Sequence, residues 1–560
     1  MSLKPYHYEL SHPRTSIQRC VLGVVGGVCA ALLIILFRLA IEGLQSFYLE
    51  RADDFTTLDP TFRFILPIGG VICIILFAYL TKFRHNRTGI PYVIHRLKTR
   101  YGHMPLRPTL NQFFGGAVSL ATGFSVGREG PSVHLGAAGS SFFGEWFRLP
   151  HNSIRLLAGC GVAAGISASF NTPFAAVIFV MEVVLREYKV HMFIPIMLAA
   201  ACGSILTRLV FGEDHEMAYL QFISLDYWMY LYLILLGFIL GAAGSLFNFQ
   251  LMRMIRSFSH YKMLTRLLIA GLATGIVGIL IPQAMGSGLS AIEMVNHAPD
   301  GVHILVAILA GKFVLTIVAL GLGVPGGIVG PTFGIGVLIG AIVLLPLSIV
   351  VNDVTVFTSS FALLGMAGMM TSVLHAPLAA LAAVMELSYN PEVILPAMLV
   401  IVASYVTSAQ LFKNRSIFTQ QLQFQKLPYQ STSVQFTLQN TGVLAVVDKD
   451  FKLVNESEQE PLQAHLEKLQ DTLLVNTLEL DSEHEYALIE WDTSLSRHEN
   501  EPLKSVKMQG ISALCTLAEV YVMLQAERRG AVYVYDRSPH NIVGIITWNN
   551  LRNYLHKEDF

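Results

Sequence analysis

Between Lys312 and Asp353 the chain runs forty residues without Asp, Glu, Lys or Arg, and a second run without them covers 354–385. A helix crosses a bilayer with about 20 apolar residues, so each run has room for more than one crossing. Lipid offers backbone groups no water, which leaves helices or a closed barrel as the only spanning solutions, and these runs are far too long for single strands. Across all 560 residues the chain is 53% hydrophobic and 14% charged, which fits a large membrane domain with a smaller soluble one. The expected fold class is an all-α polytopic membrane protein. A net charge of −1, with basic residues grouped by topology, excludes a nucleic-acid partner. Cys20, Cys29, Cys73, Cys160, Cys202 and Cys515 show no CxxC or other metal spacing and read as small hydrophobes in a reducing compartment. Neither a metal nor an organic cofactor is expected.

The first span covers 21–48 and is too long for a signal peptide. An acidic loop follows, with Glu50, Asp53, Asp54 and Asp59, and then a second span at 64–80. The loop 82–107 carries Lys82, Arg84, Arg87, Arg96, Lys98, Arg100 and Arg107 with no acid, which places it and residues 1–19 in the cytoplasm. Apolar sequence broken by Gly and Pro over 113–411 predicts short, tilted, interrupted helices. The composition turns polar after 414. The expected domains are therefore 1–19, a membrane domain at 20–414 and a cytoplasmic α/β domain at 415–560. In the last, strands are expected at 442–447, 486–491 and 531–535, a helix then a strand over 461–479, a mobile loop at 492–502 and a helix at 511–529.

Two fixed charges, Arg128 and Glu129, interrupt the apolar stretch 113–143, where an ionisable group is costly and marks function by default. They sit in Gly127-Arg128-Glu129-Gly130-Pro131, and the spacing returns at an offset of 200 as Gly327-Ile328-Val329-Gly330-Pro331. Gln112-Phe113 aligns with Lys312-Phe313 and Gly123 with Gly323 in the same way. At an offset of 204, Gly161 aligns with Gly365, Pro173 to Ala176 with Pro377 to Ala380, and Met181-Glu182 with Met385-Glu386. Ordered blocks with fixed spacing indicate an internal duplication, with repeats at about 64–210 and 230–410.

Duplicated halves with broken helices build sites at mid-membrane from half-helix ends. Helix N-termini present unsatisfied N–H groups and the positive end of the dipole, and so favour anions. Both Gly-x-x-Gly-Pro elements have the form of such N-termini, since glycine permits close approach and proline suits the first turn. Thr88-Gly89-Ile90-Pro91 is a third, with a hydroxyl donor. For any one of them an ordinary packing turn is the alternative; together they point to an anion pathway.

In order and spacing these three motifs resemble those of the CLC chloride channels and proton/chloride antiporters, over about residues 20–425. The resemblance implies a homodimer with one anion pathway per subunit, each subunit an inverted repeat of tilted helices. It implies that Glu129 is the gating glutamate, whose carboxylate takes an anion position when ionised and swings away when protonated. Thr88, Gly89, Ile90, Arg128, Gly130, Ile328, Val329 and Phe418 become the anion-site residues, with chloride as the bound ion. Thr88 stands where the family usually has Ser, Val329 where Phe is common, and Phe418 where the usual residue is Tyr. Antiporters of the family typically carry two acids at Glu182-Val183, the second taking protons from the cytoplasm; valine carries none. That pair favours a passive channel, with Glu182 and Val183 as the positions to examine for a proton path. Gln112 replaces a frequent Lys. His134 and His375 read as hydrogen-bonded packing residues, and Glu386 as a structural cap or an interface salt bridge.

The segment 530–555 resembles the closing half of a CBS module, and 442–454 could belong to a divergent first copy. Asn550 replaces the ribose-contacting Asp of nucleotide-binding copies, which argues against an adenine nucleotide there. The expected function is passive transport of chloride or a similar monovalent anion, gated by Glu129, in the inner or plasma membrane, with both termini cytoplasmic. The alternatives are a proton-coupled antiporter on the same scaffold and, in another class, a membrane-anchored nucleotide sensor. No nucleophile–base pair or cofactor loop supports an enzyme.

Overall fold

The computed structural model describes residues 4–83, 88–212, 220–288, 301–349, 353–429, 433–455, 472–480, 483–491 and 503–558. Arg84 and Arg87 of the basic loop, the expected mobile loop at 492–502 and the helical part of 461–479 lie outside them. The chain forms two compact units: Cys20–Phe143 with Leu156–Tyr429, and Met1–Arg19 with Gly144–Arg155 and Gln430–Phe560.

The larger unit is helical. Among the described residues ten helices of the chain are long and apolar enough to cross a membrane, making this an integral, multi-pass membrane protein. Helices in chain order are α1 (Lys4–Ser11), α2 (Ile17–Gln45), α3 (Pro60–Leu80), α4 (Ile90–Thr99), α5 (Leu106–Ala121), α6 (Glu129–Trp146), α7 (His151–Phe170) and α8 (Pro173–Phe179). They continue with α9 (Val190–Phe211), α10 (Met229–Ser257), α11 (Met263–Leu280), α12 (Val302–Leu322), α13 (Val329–Leu344), α14 (Thr358–Leu374), α15 (Pro377–Ser388), α16 (Ile394–Val406) and α17 (Ile417–Phe424). Short α8 and α15, each opened by a proline, are the interrupted helices that the Gly/Pro pattern predicts.

The duplication is visible in how the helices stop and pack. Helices α5 and α12 end at Gly123 and Gly323, whose φ values of 82° and 94° lie in the left-handed region that glycine enters without a Cβ penalty. Helices α6 and α13 then begin at the two Gly-x-x-Gly-Pro motifs, and Gly127 pairs with Gly327 in an isolated antiparallel bridge. A Cβ on Gly136 of α6 would stand 2.2 Å from the carbonyl oxygen of Gly161 of α7, and one on Gly336 of α13 would stand 2.4 Å from that of Gly365 of α14. Each repeat thus packs its glycine-rich helix backbone to backbone on the next.

The smaller unit joins the chain's ends. Asn152 Nδ2 donates to the carbonyls of Leu10 (2.9 Å) and Asn440 (3.2 Å), while buried Arg155 donates to Asn440 Oδ1 at 2.6 Å. One sheet orders β1 (Phe451–Asn455), β2 (Leu473–Leu480), β3 (Glu483–Trp491) and β4 (Leu503–Lys507), with β1 parallel to β2 and the remaining pairs antiparallel. The other holds β5 (Gln509–Ser512), β6 (Ala531–Tyr535) and β7 (Ile542–Thr547), with β5 and β6 parallel and β7 antiparallel to β6. Its connections are α19 (Leu517–Leu524) and, after β7, α20 (Trp548–Glu558); α18 (Ser433–Gln439) precedes both sheets. Val532 and Val534 of β6 and Ile546 of β7 bury their side chains with Leu517 and Val520 of α19.

The expected strands at 486–491 and 531–535 are present. Two other expectations are corrected. Residues 442–447 form a 3-10 turn, Val443–Ala445, because Val443 and Leu444 both bury their side chains, which a half-buried strand's alternation forbids. The helix expected at 511–529 is only Leu517–Leu524, since Ile511 belongs to β5 and Thr516 caps the helix in a capping box with Glu519.

Candidate functional site: a carboxylate between opposed helix N-termini

Glu129 is the first residue of α6 and is 4% exposed. Its carboxylate lies beside the backbone at the start of α13, facing the N–H groups of Val329 and Gly330. Its oxygen Oε2 is buried without a hydrogen-bond partner among the described residues. A helix N-terminus leaves its first N–H groups unpaired and carries about half a unit of positive charge. A carboxylate in that place faces N–H groups that a helix start leaves unpaired.

Glycine makes this approach possible. A Cβ on Gly327 would lie 2.4 Å from Glu129 Oε2, and one on Gly130 would lie 2.6 Å from the carbonyl oxygen of Gly326. Gly89, at φ 88°, caps α4, and a Cβ built on it would have Gly130 as its nearest neighbour, 3.8 Å away. The starts of α4, α6 and α13 thus converge, as the three motifs predict.

Two cavities meet at this point. One, of about 70 Å³, is lined by Thr88, Gly89, Ile90, Gly130, Ile328 and Phe418, among others. The second, of about 50 Å³, is apolar and lined by Glu129 and Val329 together with side chains of α7, α8 and α15. Residues 129–130 and 328–329 form the wall between them. Phe418, 3% exposed on α17, stands at the first cavity. Arg128 does not line either cavity; its guanidinium lies 4.7 Å from the centroid of the Phe170 ring, a cation–π contact. The Thr88 hydroxyl donates to the side-chain oxygen of Gln112, so Gln112, where the family often has Lys, holds the hydroxyl.

Glu182 and Val183 lie in a π-helical turn, Val180–Leu185, that extends α8. Val183 is buried. Both oxygens of Glu182 accept backbone N–H groups at the start of α15, from Leu378 (3.2 Å) and Ala379 (2.7 Å). Glu386 does the same for α8, accepting from Phe174 (3.1 Å) and Ala175 (2.8 Å). His134 is buried, contacts Thr109 Oγ1 at 3.3 Å and stacks on Tyr92; His375 Nε2 lies 3.4 Å from Ser408 Oγ.

Sequence reasoning missed a buried charge pair behind the site. Lys312, fully buried, donates to the carbonyls of Met285 (3.1 Å) and Gly286 (2.7 Å). Asp53 accepts from the Ser287 hydroxyl at 2.7 Å and from its N–H. Together they clamp a loop whose Ser287 carbonyl comes within 3.2 Å of a Cβ built on Gly330. The available signal was Lys312 itself, a lone charge inside an apolar span. In the smaller unit, distant His151, Cys515 and Glu519 bring their ligating atoms within 4.8 Å of one another. Glu519 is engaged there as the cap of α19, taking the Thr516 N–H at 2.8 Å and facing His151 Nδ1 at 3.3 Å.

A duplicated helical membrane unit that directs half-helix N-termini at one buried carboxylate defines an anion-handling membrane protein. Residues 69–409 match the voltage gated chloride channel family, and the chain belongs to it. It is 29% identical over 401 residues to a protein of Ralstonia nicotianae described as chloride channel protein ClcB-like, covering 69% of this chain and 92% of that one. It is 26% identical over 423 residues to the H(+)/Cl(-) exchange transporter ClcA of Vibrio campbellii, covering 73% and 90%. Its fold is similar to that of a slow cyanobacterial Cl-/H+ antiporter, with a TM-score of 0.66 at 21% identity, covering 73% of this chain and 97% of that one. The fold is therefore of CLC type, and the protein is a transporter or channel of that family, not an enzyme.

Proposed function

We propose that this protein carries chloride or a similar monovalent anion along the path through the two cavities, with Glu129 as its gate and Thr88, Gly89, Ile90, Gly130, Ile328, Val329 and Phe418 as its anion contacts. The observation that carries this reading is the buried Glu129 carboxylate facing the N–H groups of Val329 and Gly330 at the start of α13. A permeant anion competes for that position, and protonating Glu129 removes the competitor. Coupled exchange of the anion with protons is the leading form, supported by the similarity to a named exchange transporter and by a gate that is itself a proton carrier. Passive conduction is the second form, favoured by Val183, which cannot carry a proton. In the coupled form the inner proton route bypasses Val183, by water or by Glu182 leaving its cap.

Around this centre we place both termini in the cytoplasm, in an inner or plasma membrane, with residues 1–19, 20–414 and 415–560 as functional regions. A homodimer is what membership of the family implies. A CBS-like reading of the tail is supported by the order strand, helix, strand, strand, helix over β5 to α20. Asn550 argues against a nucleotide there, so bracing is favoured over sensing. The test is purified protein in liposomes under an imposed chloride gradient with voltage clamped by an ionophore. Uphill proton movement that Glu129→Gln abolishes supports exchange; chloride flux without it supports the channel; no flux at all rejects both.

A further inference from the structure

Helix α17 lies between two cavities. Phe418 and Gln421 face the anion cavity described above. Gln420, Gln423 and Phe424, on the other side of the same helix, line a separate cavity of about 660 Å³, consistent with a turn of about 100° per residue. That cavity is also lined by Arg256, Lys413, Arg415 and Phe249, and among the described residues lining it none is acidic. The three cations are exposed and make no ion pair among the described residues. Three like charges around one hollow repel one another, and an anion relieves that repulsion.

The location selects the source of the anion. Arg256 is in the last turn of the span Met229–Ser257, and Lys413 and Arg415 follow directly on the span Pro391–Leu411, so the cavity opens where two crossings end. Leu246 and Phe249, 51% and 62% exposed on the same face of α10, extend apolar surface from it toward the bilayer. A basic hollow continuous with an apolar wall at the end of membrane spans suits a phosphate headgroup with its acyl chains alongside. The headgroup would bear directly on α17. Gln420 Nε2 donates to Asn414 Oδ1 (3.0 Å) and to the Arg415 carbonyl (2.7 Å), and Asn414 Nδ2 reaches the Ser372 carbonyl (3.1 Å) in α14.

We propose that this cavity binds the phosphate headgroup of an anionic lipid, and that occupancy shifts α17 and with it Phe418 at the anion path. The regulatory half rests on the anion-transport reading; the binding half does not. Two readouts separate them. Full-length protein is reconstituted in phosphatidylcholine vesicles with and without phosphatidylglycerol, and anion flux is measured. In parallel, lipid retained by detergent-solubilised protein is counted by native mass spectrometry.

Wild type is expected to retain phosphatidylglycerol and to change its flux when that lipid is present. Replacing Arg256, Lys413 and Arg415 by Gln should lower apparent affinity about fivefold per charge removed and abolish the flux response. Arg253→Gln, an exposed charge on the same helix outside the cavity, should behave as wild type, and Arg256→Lys with Arg415→Lys should restore retention. Equal retention by wild type and the triple Gln variant overturns the site. If inorganic phosphate in neutral vesicles reproduces the flux response, the ligand is a free anion and the lipid assignment is overturned. Retention without any lipid effect on an active transporter overturns the coupling to α17. Absence of flux under all conditions rejects the transport reading, while retention still decides the site.

Discussion

Gly127 and Gly327 hydrogen-bond to each other: the N–H of Gly127 donates to the carbonyl of Gly327 over 2.8 Å, and that of Gly327 to Gly127 over 2.5 Å. These are equivalent positions of the two repeats, so the local two-fold axis relating the halves passes between them. Glu129 follows two residues after one of these glycines, and Val329, whose N–H faces its carboxylate, two residues after the other.

The axis leaves no room for side chains. Gly327→Ala places a methyl group 2.4 Å from Glu129 Oε2 and 2.6 Å from the Gly130 nitrogen, and Gly136→Ala meets the Gly161 carbonyl at 2.2 Å. Each is expected to destabilise the protein by about 1–3 kcal/mol, read as a lower melting temperature in detergent. Gly43→Ala, with nothing within 4 Å of its added methyl, should be neutral or slightly stabilising.

Glu182 and Glu386 cap each other's partner helices, α15 and α8, through equivalent N–H pairs. Replacing either carboxylate by Ala is expected to cost about 1 kcal/mol, and the two costs should be alike. Thermal unfolding measures this. If capping is the whole role of Glu182, the two variants also share one proton-to-anion ratio in liposomes; a ratio lowered only in Glu182→Ala makes it a proton carrier.

What was legible in the sequence follows from what is local. The helix starts are written as contiguous Gly, Pro and Thr motifs, and the duplication as fixed offsets, so the residues that converge there could be named from them. The surroundings of Arg128 could not, because its neighbour Phe170 arrives from α7. Asp53, Ser287 and Lys312 were not legible as a group, since loops far apart in the chain bring them together. In the tail, the apolar run at 442–447 matches a buried turn as well as a strand, and only the capping box at Thr516 shows where α19 begins.

The same capping box gives the smaller unit an acid-sensitive element. Burial raises the Glu519 carboxyl, but hydrogen bonds from His151 and the Thr516 N–H outweigh it and hold it below its ordinary value. A carboxyl with a depressed folded pKa contributes stability that is present above its unfolded pKa, about 4.3, and lost as pH falls through the folded value. Acidification through that window should therefore destabilise wild type more steeply than Glu519→Gln, as followed by thermal denaturation against pH.

Phe418 offers the cavity it shares with Thr88 and Ile328 a ring without a donor. Phe418→Tyr adds a hydroxyl that can donate to an anion; a hydrogen bond to a charged group contributes about 1.5–3 kcal/mol. Chloride affinity by titration calorimetry should rise by about tenfold or more.

The central claim is that the Glu129 carboxylate occupies an anion's place on the N–H groups of Val329 and Gly330. Anomalous diffraction from crystals of Glu129→Gln grown in bromide tests it directly. A bromide peak is expected within hydrogen-bonding distance of those two N–H groups, where the carboxylate lies in wild type. A fully occupied bromide elsewhere in the pathway, with that position empty, would contradict it.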